Sequence, residues 1–172
     1  MADKYGLKFV PGVEAYLVDS VARVREEKDR KNSHLCVFAE DNEGLKNLWS
    51  LTSLAYTKGQ YYKPLFDWEM AAPYAKGLIV TDGCMLAYMA RAILEDDEDA
   101  ATNLVGQYLD TFGRDNFYME LHTWQFMEPK TQNDFKLNAD MTKINQGKVA
   151  IANKYGIPLI VVNDSHYANP ED

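Results

Sequence analysis

Short apolar runs alternate along the chain with longer stretches of helical periodicity. Apolar runs bounded by turn-forming residues predict strands at 4–10, 13–18, His34–Ala39, 77–81, Phe117–Leu121 and Leu159–Val162. Apolar residues at helical spacing predict helices over about 42–57, 66–74, 85–94, from the acidic run 95–99 to Phe112, and 137–155. The charged segment 19–32 is expected to be a solvated loop or short helix, and 124–136 irregular.

The order of these elements predicts the class of fold. Because strands alternate with helices through most of the chain, we expect an α/β protein with a parallel sheet or barrel and helices outside it. In such folds ligands bind at the carboxyl ends of strands. The residues that directly follow each predicted strand are therefore the first candidates for chemistry.

Composition and charge narrow the class of protein. The chain has 172 residues, of which 47% are hydrophobic, and this suits one globular domain with a packed core. A net charge of −8 disfavours autonomous binding to nucleic acid, because the surface repels phosphates. With two cysteines, no apolar stretch of spanning length and no signal-peptide core, we expect a cytoplasmic protein without a membrane partner.

The strongest local signal is the segment Asp164-Ser165-His166, which follows the strand at Leu159–Val162. On an extended segment, residues two apart project to the same side, so a carboxylate and an imidazole can converge on one cation. Alternatively, Asp164 caps a turn and His166 is an ordinary surface histidine, since the pattern is common by chance. The spacing leaves both interpretations open.

Two residues of metal-binding type also lie in predicted strands. Glu14 interrupts an apolar strand, where an unpaired buried carboxylate is costly. It is therefore either a ligand or a residue on a solvent-facing side. His34 begins its strand, as an ordinary edge imidazole would, and so departs from the carboxyl-end rule. Spacing cannot select it as a ligand.

The cysteines and one further histidine are ambiguous. Cys84 comes just after the strand at 77–81 and is either inert packing or a zinc-binding thiolate. Cys36 lies inside its strand and is expected to be part of the core. His122 follows another strand and stays unassigned. The sequence contains no nucleotide-binding glycine pattern and no His-Glu-x-x-His motif.

Segments spread over nearly the whole chain form a recognisable series. They are GLKFVPGVE ending at Glu14, His34-Leu35, EGLKNLWSLTSLAY at 43–56, YYKP at 61–64, Asp82-Gly83-Cys84, FYMEL at 117–121 and NDSHY at 163–167. In this order they resemble the PHP (polymerase and histidinol phosphatase) domain of the bacterial replicative DNA polymerase III alpha subunit. The resemblance implies a distorted (β/α)7 TIM-like barrel with a multinuclear metal site at one mouth.

The same resemblance implies the ligands and the chemistry of that site. It assigns metal binding to Glu14, His34, Cys84, Asp164 and His166, with zinc or manganese as the divalent ions. Intact sites of the family are associated with phosphoester hydrolysis, including 3′–5′ exonuclease proofreading. This association is chemically reasonable, because clustered cations activate water and stabilise the charge that develops on phosphate.

The family pattern extends beyond both ends of this sequence. The family opens with a His-x-His strand and an Asp-His pair that have no counterpart here. We therefore expect residues 1–172 to form a partial PHP domain, without its N-terminal ligand-bearing strands and without the downstream polymerase domains. The implied partners are the remainder of the polymerase chain, replisome proteins and, through the complete enzyme, DNA. Alone, the chain is expected to be inactive in primer extension and weak or inactive in phosphoester hydrolysis.

Two other functions stay open. A PHP segment can serve as a non-catalytic scaffold that braces the polymerase core, with or without ions in its site. A free-standing or split PHP-type metal-dependent phosphatase is the other possibility, although EGLKNLWSLTSLAY and YYKP resemble the polymerase branch. Retention of the implied ligand types favours metal binding over a degenerate site, but metal binding does not establish turnover.

Overall fold

The computed structural model describes residues 2–28, 31–123 and 129–163, and the structural statements below concern these residues. The strands are β1 (Gly12–Leu17), β2 (Ser33–Ala39), β3 (Gln60–Tyr61), β4 (Lys63–Phe66), β5 (Leu78–Thr81), β6 (Phe117–His122) and β7 (Leu159–Val162). The helices are α1 (Val21–Glu27), α2 (Asn42–Thr57), α3 (Trp68–Ala71), α4 (Tyr88–Leu94), α5 (Glu98–Phe112) and α6 (Gln132–Tyr155). Short 3-10 turns lie at Ala2–Tyr5, Ala72–Tyr74 and Arg114–Asn116.

The strands form one mixed sheet in the order β3-β4-β1-β2-β5-β6-β7. The α/β class is confirmed, but a sheet parallel throughout is wrong, because β2 runs antiparallel to both β1 and β5. The connection between β1 and β2 explains the difference. A helix the length of α1 spans about 10 Å, roughly half the length of β1, so it does not carry the chain back for a parallel return. The pairs β1–β4, β5–β6 and β6–β7 are parallel.

Helix α2 coincides with the helix that the hydrophobic spacing predicts. Its first turn is capped by Asp41, whose carboxylate accepts the backbone N–H of Gly44 at 2.7 Å. Gly44 also lets the helix touch the next loop, since a Cβ there would lie 1.8 Å from the carbonyl oxygen of Gly77. The buried face of α2, which packs on the sheet, consists of Gly44, Leu48, Leu51 and Ala55.

Helix α6 begins earlier than the sequence pattern indicates. The prediction started it at about Leu137, whereas Thr131 and Asp134 form a reciprocal capping box that begins the helix at Gln132. The apolar stripe sets in only later, which is why periodicity alone missed the first turns. The residues buried on this helix are Met141, Ile144, Lys148 and Ala152.

Aromatic packing helps to hold the central strands against the helices. Tyr108 of α5 stacks on Phe117 at the start of β6, with ring centroids 4.3 Å apart, and meets Trp68 edge-on at 5.0 Å. Leu35 and Leu78 are fully buried in the same core cluster. Burial of such large rings is a major part of a domain's hydrophobic stabilisation.

Two further predicted elements differ from those observed. Residues 7–10 form no strand, and Leu7 and Phe9 stay 63% and 75% exposed, so this apolar run has no neighbouring strand to pair with in the described part of the chain. Helix α4 begins at Tyr88, after a turn at 84–87. No described helix is both long enough and apolar enough to cross a membrane.

Candidate metal centre

His34 lies at the end of the sheet where the carboxyl-end rule expects ligands to bind. Because β2 runs antiparallel to its neighbours, its first residues lie beside the carboxyl ends of β1 and β5. His34 therefore satisfies the rule in space although it begins its own strand. Sequence alone could not select it, since the direction of a strand is defined only by its neighbours in the sheet.

Glu14 and His34 contact each other directly. Oε1 of Glu14 lies 2.7 Å from Nδ1 of His34, and the two side chains are 54% and 23% exposed. Glu14 is opposite Cys36 in the β1–β2 ladder, while Tyr16 is opposite His34 and meets its ring edge-on at 5.1 Å. The half-exposed side of β1 explains how an apolar strand accommodates a carboxylate. It also places the carboxylate where a cation can reach it.

The turn that carries Cys84 packs against the backbone of His34. Gly83 has a φ of +76°, and a Cβ at this position would lie 2.3 Å from the carbonyl oxygen of His34. Glycine is the residue that tolerates both the left-handed backbone and this close approach. The segment of Cys84 thus reaches the same end of the sheet as Glu14 and His34. Cys36, expected in the core, is half-buried opposite Glu14, and neither cysteine forms a disulfide.

A buried chain of hydrogen bonds links β5 to β6. The hydroxyl of Thr81 donates to Oε1 of Glu120, and Oε2 of Glu120 lies 2.9 Å from Nε2 of His122. Burial by itself would raise the pKa of the Glu120 carboxyl, but the hydrogen bonds from His122 and Thr81 outweigh it and hold that pKa below its usual value. Glu120 is therefore ionised and fixes the orientation of the His122 ring.

An ion pair with both side chains fully buried anchors the turn from the helix layer. Nζ of Lys148 lies 3.0 Å from Oδ2 of Asp82, without hydrogen-bond geometry, and donates to the carbonyl oxygen of Gly83 at 3.0 Å. Asp82 also accepts the backbone N–H of Glu120 at 2.8 Å. Burial raises the pKa of the Asp82 carboxyl, and the positive charge of Lys148 opposes that increase. These contacts tie α6, β5 and β6 together immediately before Cys84.

The structure brings together part of the predicted ligand set. Glu14 and His34 are in contact and Cys84 follows the adjoining turn, whereas Asp164 and His166 lie outside the described residues. The strand before them, β7, ends beside the end of β6. Among the side chains that the structure describes, no group of three or more His, Cys, Asp or Glu is arranged to hold a metal ion. The full ligand set therefore stays a prediction.

Sequence reasoning missed Asp82, Glu120 and Lys148. A signal for Lys148 was present, because it occupies a core-facing place in the apolar stripe of α6, where an ammonium group needs a buried partner. Glu120 is likewise a charged residue in a strand whose neighbours are apolar. Nothing local distinguishes Asp82 from an ordinary turn aspartate, since its role depends on α6 packing over it.

Comparisons with known proteins agree on one family. Residues 1–124 match the family model described as the PHP domain. The chain is 35% identical over 178 residues to the DNA polymerase III subunit alpha of Chlamydia trachomatis, an alignment that covers 96% of this chain and 14% of that protein. It is 34% identical to the subunits of the same name from Aquifex aeolicus and Thermus aquaticus, over 97% and 99% of this chain and 14% and 13% of theirs. The chain thus spans about one seventh of the length of these relatives.

Proposed function

The chain belongs to the PHP domain family, and we propose that it forms part of a metal-dependent phosphoesterase site within the alpha subunit of a replicative DNA polymerase. The family match and the relatives named above support this proposal. Because the chain spans about 14% of those relatives, a role in DNA replication is itself part of the proposal. So are the cytoplasmic location and the partners: the rest of the polymerase chain, replisome proteins and DNA.

The contact between Glu14 and His34 beside the turn of Cys84 is the observation that carries the proposal. A carboxylate, an imidazole and a thiolate form a donor set that suits zinc or manganese. Together with Asp164 and His166, these residues would hold the ions. Bound divalent ions would supply positive charge that stabilises a phosphoester during hydrolysis, of the 3′–5′ exonuclease type in this proposal.

The chain's own residues contribute by positioning these groups. Glu14 orients the imidazole of His34 through the 2.7 Å contact, and Tyr16 packs edge-on against the same ring. Lys148 holds the carbonyl oxygen of Gly83 and thereby the turn that leads to Cys84. A site whose ligands are fixed in this way needs little rearrangement when a cation binds.

We also assign the sheet to the distorted (β/α)7 barrel that the family resemblance implies. The described strands form an open row with β3 and β7 at its edges. β7 is apolar and parallel to its neighbour, yet Val161 in it is 71% exposed. Parallel strands are normally covered on both faces, and in the barrel that we propose a further part of the domain would cover this face of β7.

A non-catalytic scaffold is the second candidate function. It is favoured by the buried ion pair of Asp82 and Lys148 and by the chain of hydrogen bonds from Thr81 to His122, which join the strand ends without any metal. In that case the domain would brace the polymerase core, and loss of a ligand would change stability or assembly but not hydrolysis. Metal analysis together with activity distinguishes the two functions.

The test replaces Glu14 by glutamine and measures bound zinc and manganese. We expect Glu14→Gln to lower metal affinity by about tenfold or more, because a neutral amide replaces a charged ligand and holds the His34 ring less firmly. Glu43→Gln is the matched control. Glu43 lies on α2, is about as exposed as Glu14, at 53%, and pairs with Lys76 at 3.0 Å. Unchanged metal content in Glu14→Gln would contradict the assignment of this residue.

Activity assays complete the test. In the completed domain, Asp164→Ala and His166→Ala are each expected to lower bound metal, and unchanged stoichiometry in both would remove them from the ligand set. The 172-residue chain alone is expected to give no primer extension and weak or no 3′–5′ degradation with Mn²⁺ or Zn²⁺. Robust activity in either assay would refute its assignment as a partial site.

A further inference from the structure

His122 lies between two strand ends that precede predicted ligands. It is the last residue of β6 and the register partner of Val162 in β7, which leads into Asp164 and His166. On its other side β5 leads into the turn of Cys84. Its place in the sheet is therefore next to both of these strand ends, although neither the sequence pattern nor the resemblance assigned it a role.

His122 also shares a face of the sheet with Glu14. Across the ladders Glu14 is paired with Cys36, and Cys36 with Thr81. Thr81 reaches Glu120 by a hydrogen bond, and Glu120 and His122 are two residues apart on one strand, so their side chains project to the same side. One face thus carries the Glu14 contact at one end and the imidazole of His122 at the other.

The surroundings of His122 leave one of its two ring nitrogens open. Nε2 lies 2.9 Å from Oε2 of Glu120, a contact in which an Nε2–H donates and the carboxylate oxygen accepts. With this tautomer, the lone pair of the ring is on Nδ1. His122 is 3% exposed, and its Nδ1 has no hydrogen-bond partner among the described residues. Burying a polar atom without a partner is unfavourable unless a ligand compensates.

We propose that Nδ1 of His122 coordinates a divalent metal ion at this site, an inference that rests on the function proposed above. Glu120 is then a positioning residue, as carboxylates commonly are for metal-binding histidines. Asn145 holds the backbone of the same residue, because its side chain accepts the His122 N–H at 3.1 Å and donates to the His122 carbonyl oxygen at 2.7 Å. Strand end and ring are both fixed before any ion binds.

Cobalt(II) binding to the full chain and its variants tests this proposal. In His122→Gln the amide nitrogen takes the place of Nε2 and keeps the hydrogen bond to Glu120, while no donor atom replaces Nδ1. We expect His122→Gln to bind Co²⁺ at least about tenfold more weakly and with an altered d–d absorption. Unchanged affinity and an unchanged spectrum would overturn the proposal, even if the variant were less stable to urea.

Two further measurements separate the possible failures. If His34→Gln weakens Co²⁺ binding and His122→Gln does not, this inference fails while the proposed function stands. If the wild-type chain binds no Co²⁺, both fail. The chain has three histidines, so the ring nitrogens of the wild type can be assigned by NMR without any substitution. Saturating Zn²⁺ is expected to shift the Nδ1 resonance of His122, and an unmoved resonance would overturn the proposal even if His122→Gln did not fold.

Discussion

Replacing Lys148 by methionine tests whether the buried ion pair holds the strand ends in place. Methionine nearly matches the volume of lysine, so the change removes the ammonium group without opening a large cavity. Asp82 then loses the charge that lies 3.0 Å from its Oδ2, and the carbonyl oxygen of Gly83 loses its donor. Both side chains of the pair are fully buried, so water does not replace the lost contacts.

The expected loss is large for a domain of this size. Removing one partner of a buried ion pair costs about 3–5 kcal/mol, because the other charge stays buried without compensation. That is a substantial part of the about 5–15 kcal/mol that stabilises a typical domain. Adding Asp82→Asn to Lys148→Met removes the orphaned charge, while the carbonyl oxygen of the introduced amide can still accept the N–H of Glu120. We expect the double variant to recover more than half of the loss.

The loss should depend on pH with a defined sign. The pKa of Asp82 is raised in the folded state above its ordinary value of 3.8 by burial, so the folded protein holds this proton more tightly than the unfolded chain does. Stability from this group therefore falls as pH rises from 3.8 through the raised folded pKa. Lys148→Met removes an influence that lowers the pKa, so this window extends upward. The loss of stability that Lys148→Met causes relative to wild type is therefore expected to grow with pH.

Urea unfolding followed by circular dichroism, at about pH 5 and about pH 8, measures both effects. Lys136→Met is the matched control, because it makes the same change on the same helix in a pair with Asp140 whose lysine is 71% exposed. An exposed pair is expected to contribute less than about 1 kcal/mol. A cost of less than about 1 kcal/mol for Lys148→Met at neutral pH would refute this reasoning, because it would show that Asp82 does not keep an uncompensated buried charge.

Two further predictions concern backbone features near the site and at the start of α6. Gly83→Ala is expected to cost more than about 2 kcal/mol in thermal unfolding, since a left-handed backbone alone costs about 1–2 kcal/mol and the new Cβ would press on the His34 carbonyl. Gly106→Ala in α5 is the control. A Cβ there meets nothing within 4 Å, so this change should be neutral or stabilising in the same assay. Thr131→Ala should cost about 1 kcal/mol through loss of the cap of α6, whereas Thr142→Ala in mid-helix should not, and equal effects in urea unfolding would count against the capping assignment.

The candidate site was only partly predictable from the sequence. Asp164, His166 and Cys84 could be singled out because they follow predicted strands, and that rule is readable from the order of elements. Glu14 was recognisable as an anomaly in an apolar strand, but its two explanations were separated only by the observed contact with His34. His34 itself entered through the family resemblance, since its position at the start of a strand gave no local reason to choose it.

The buried polar groups were harder to predict from the sequence than the exposed ones. Lys148 sits in the apolar stripe of α6 and could have been questioned on that ground, but its partner Asp82 lies far away in sequence, where no spacing rule connects them. The pairing depends on how α6 crosses the ends of β5 and β6. The same holds for the hydrogen bonds among Thr81, Glu120 and His122, which need two strands to be neighbours in the sheet.

Local patterns in the sequence were enough to determine the kind of most elements and many of their bounds. The helix at Asn42–Thr57 and the strand at Leu159–Val162 follow from short-range periodicity, because burial of one face repeats every few residues whatever the element packs against. The family, too, could be recognised from short motifs in order. The antiparallel direction of β2, the contact of Glu14 with His34 and the burial of Lys148 against Asp82 were decided only by tertiary structure. They depend on which distant segments become neighbours, and that is a property of the whole packed chain.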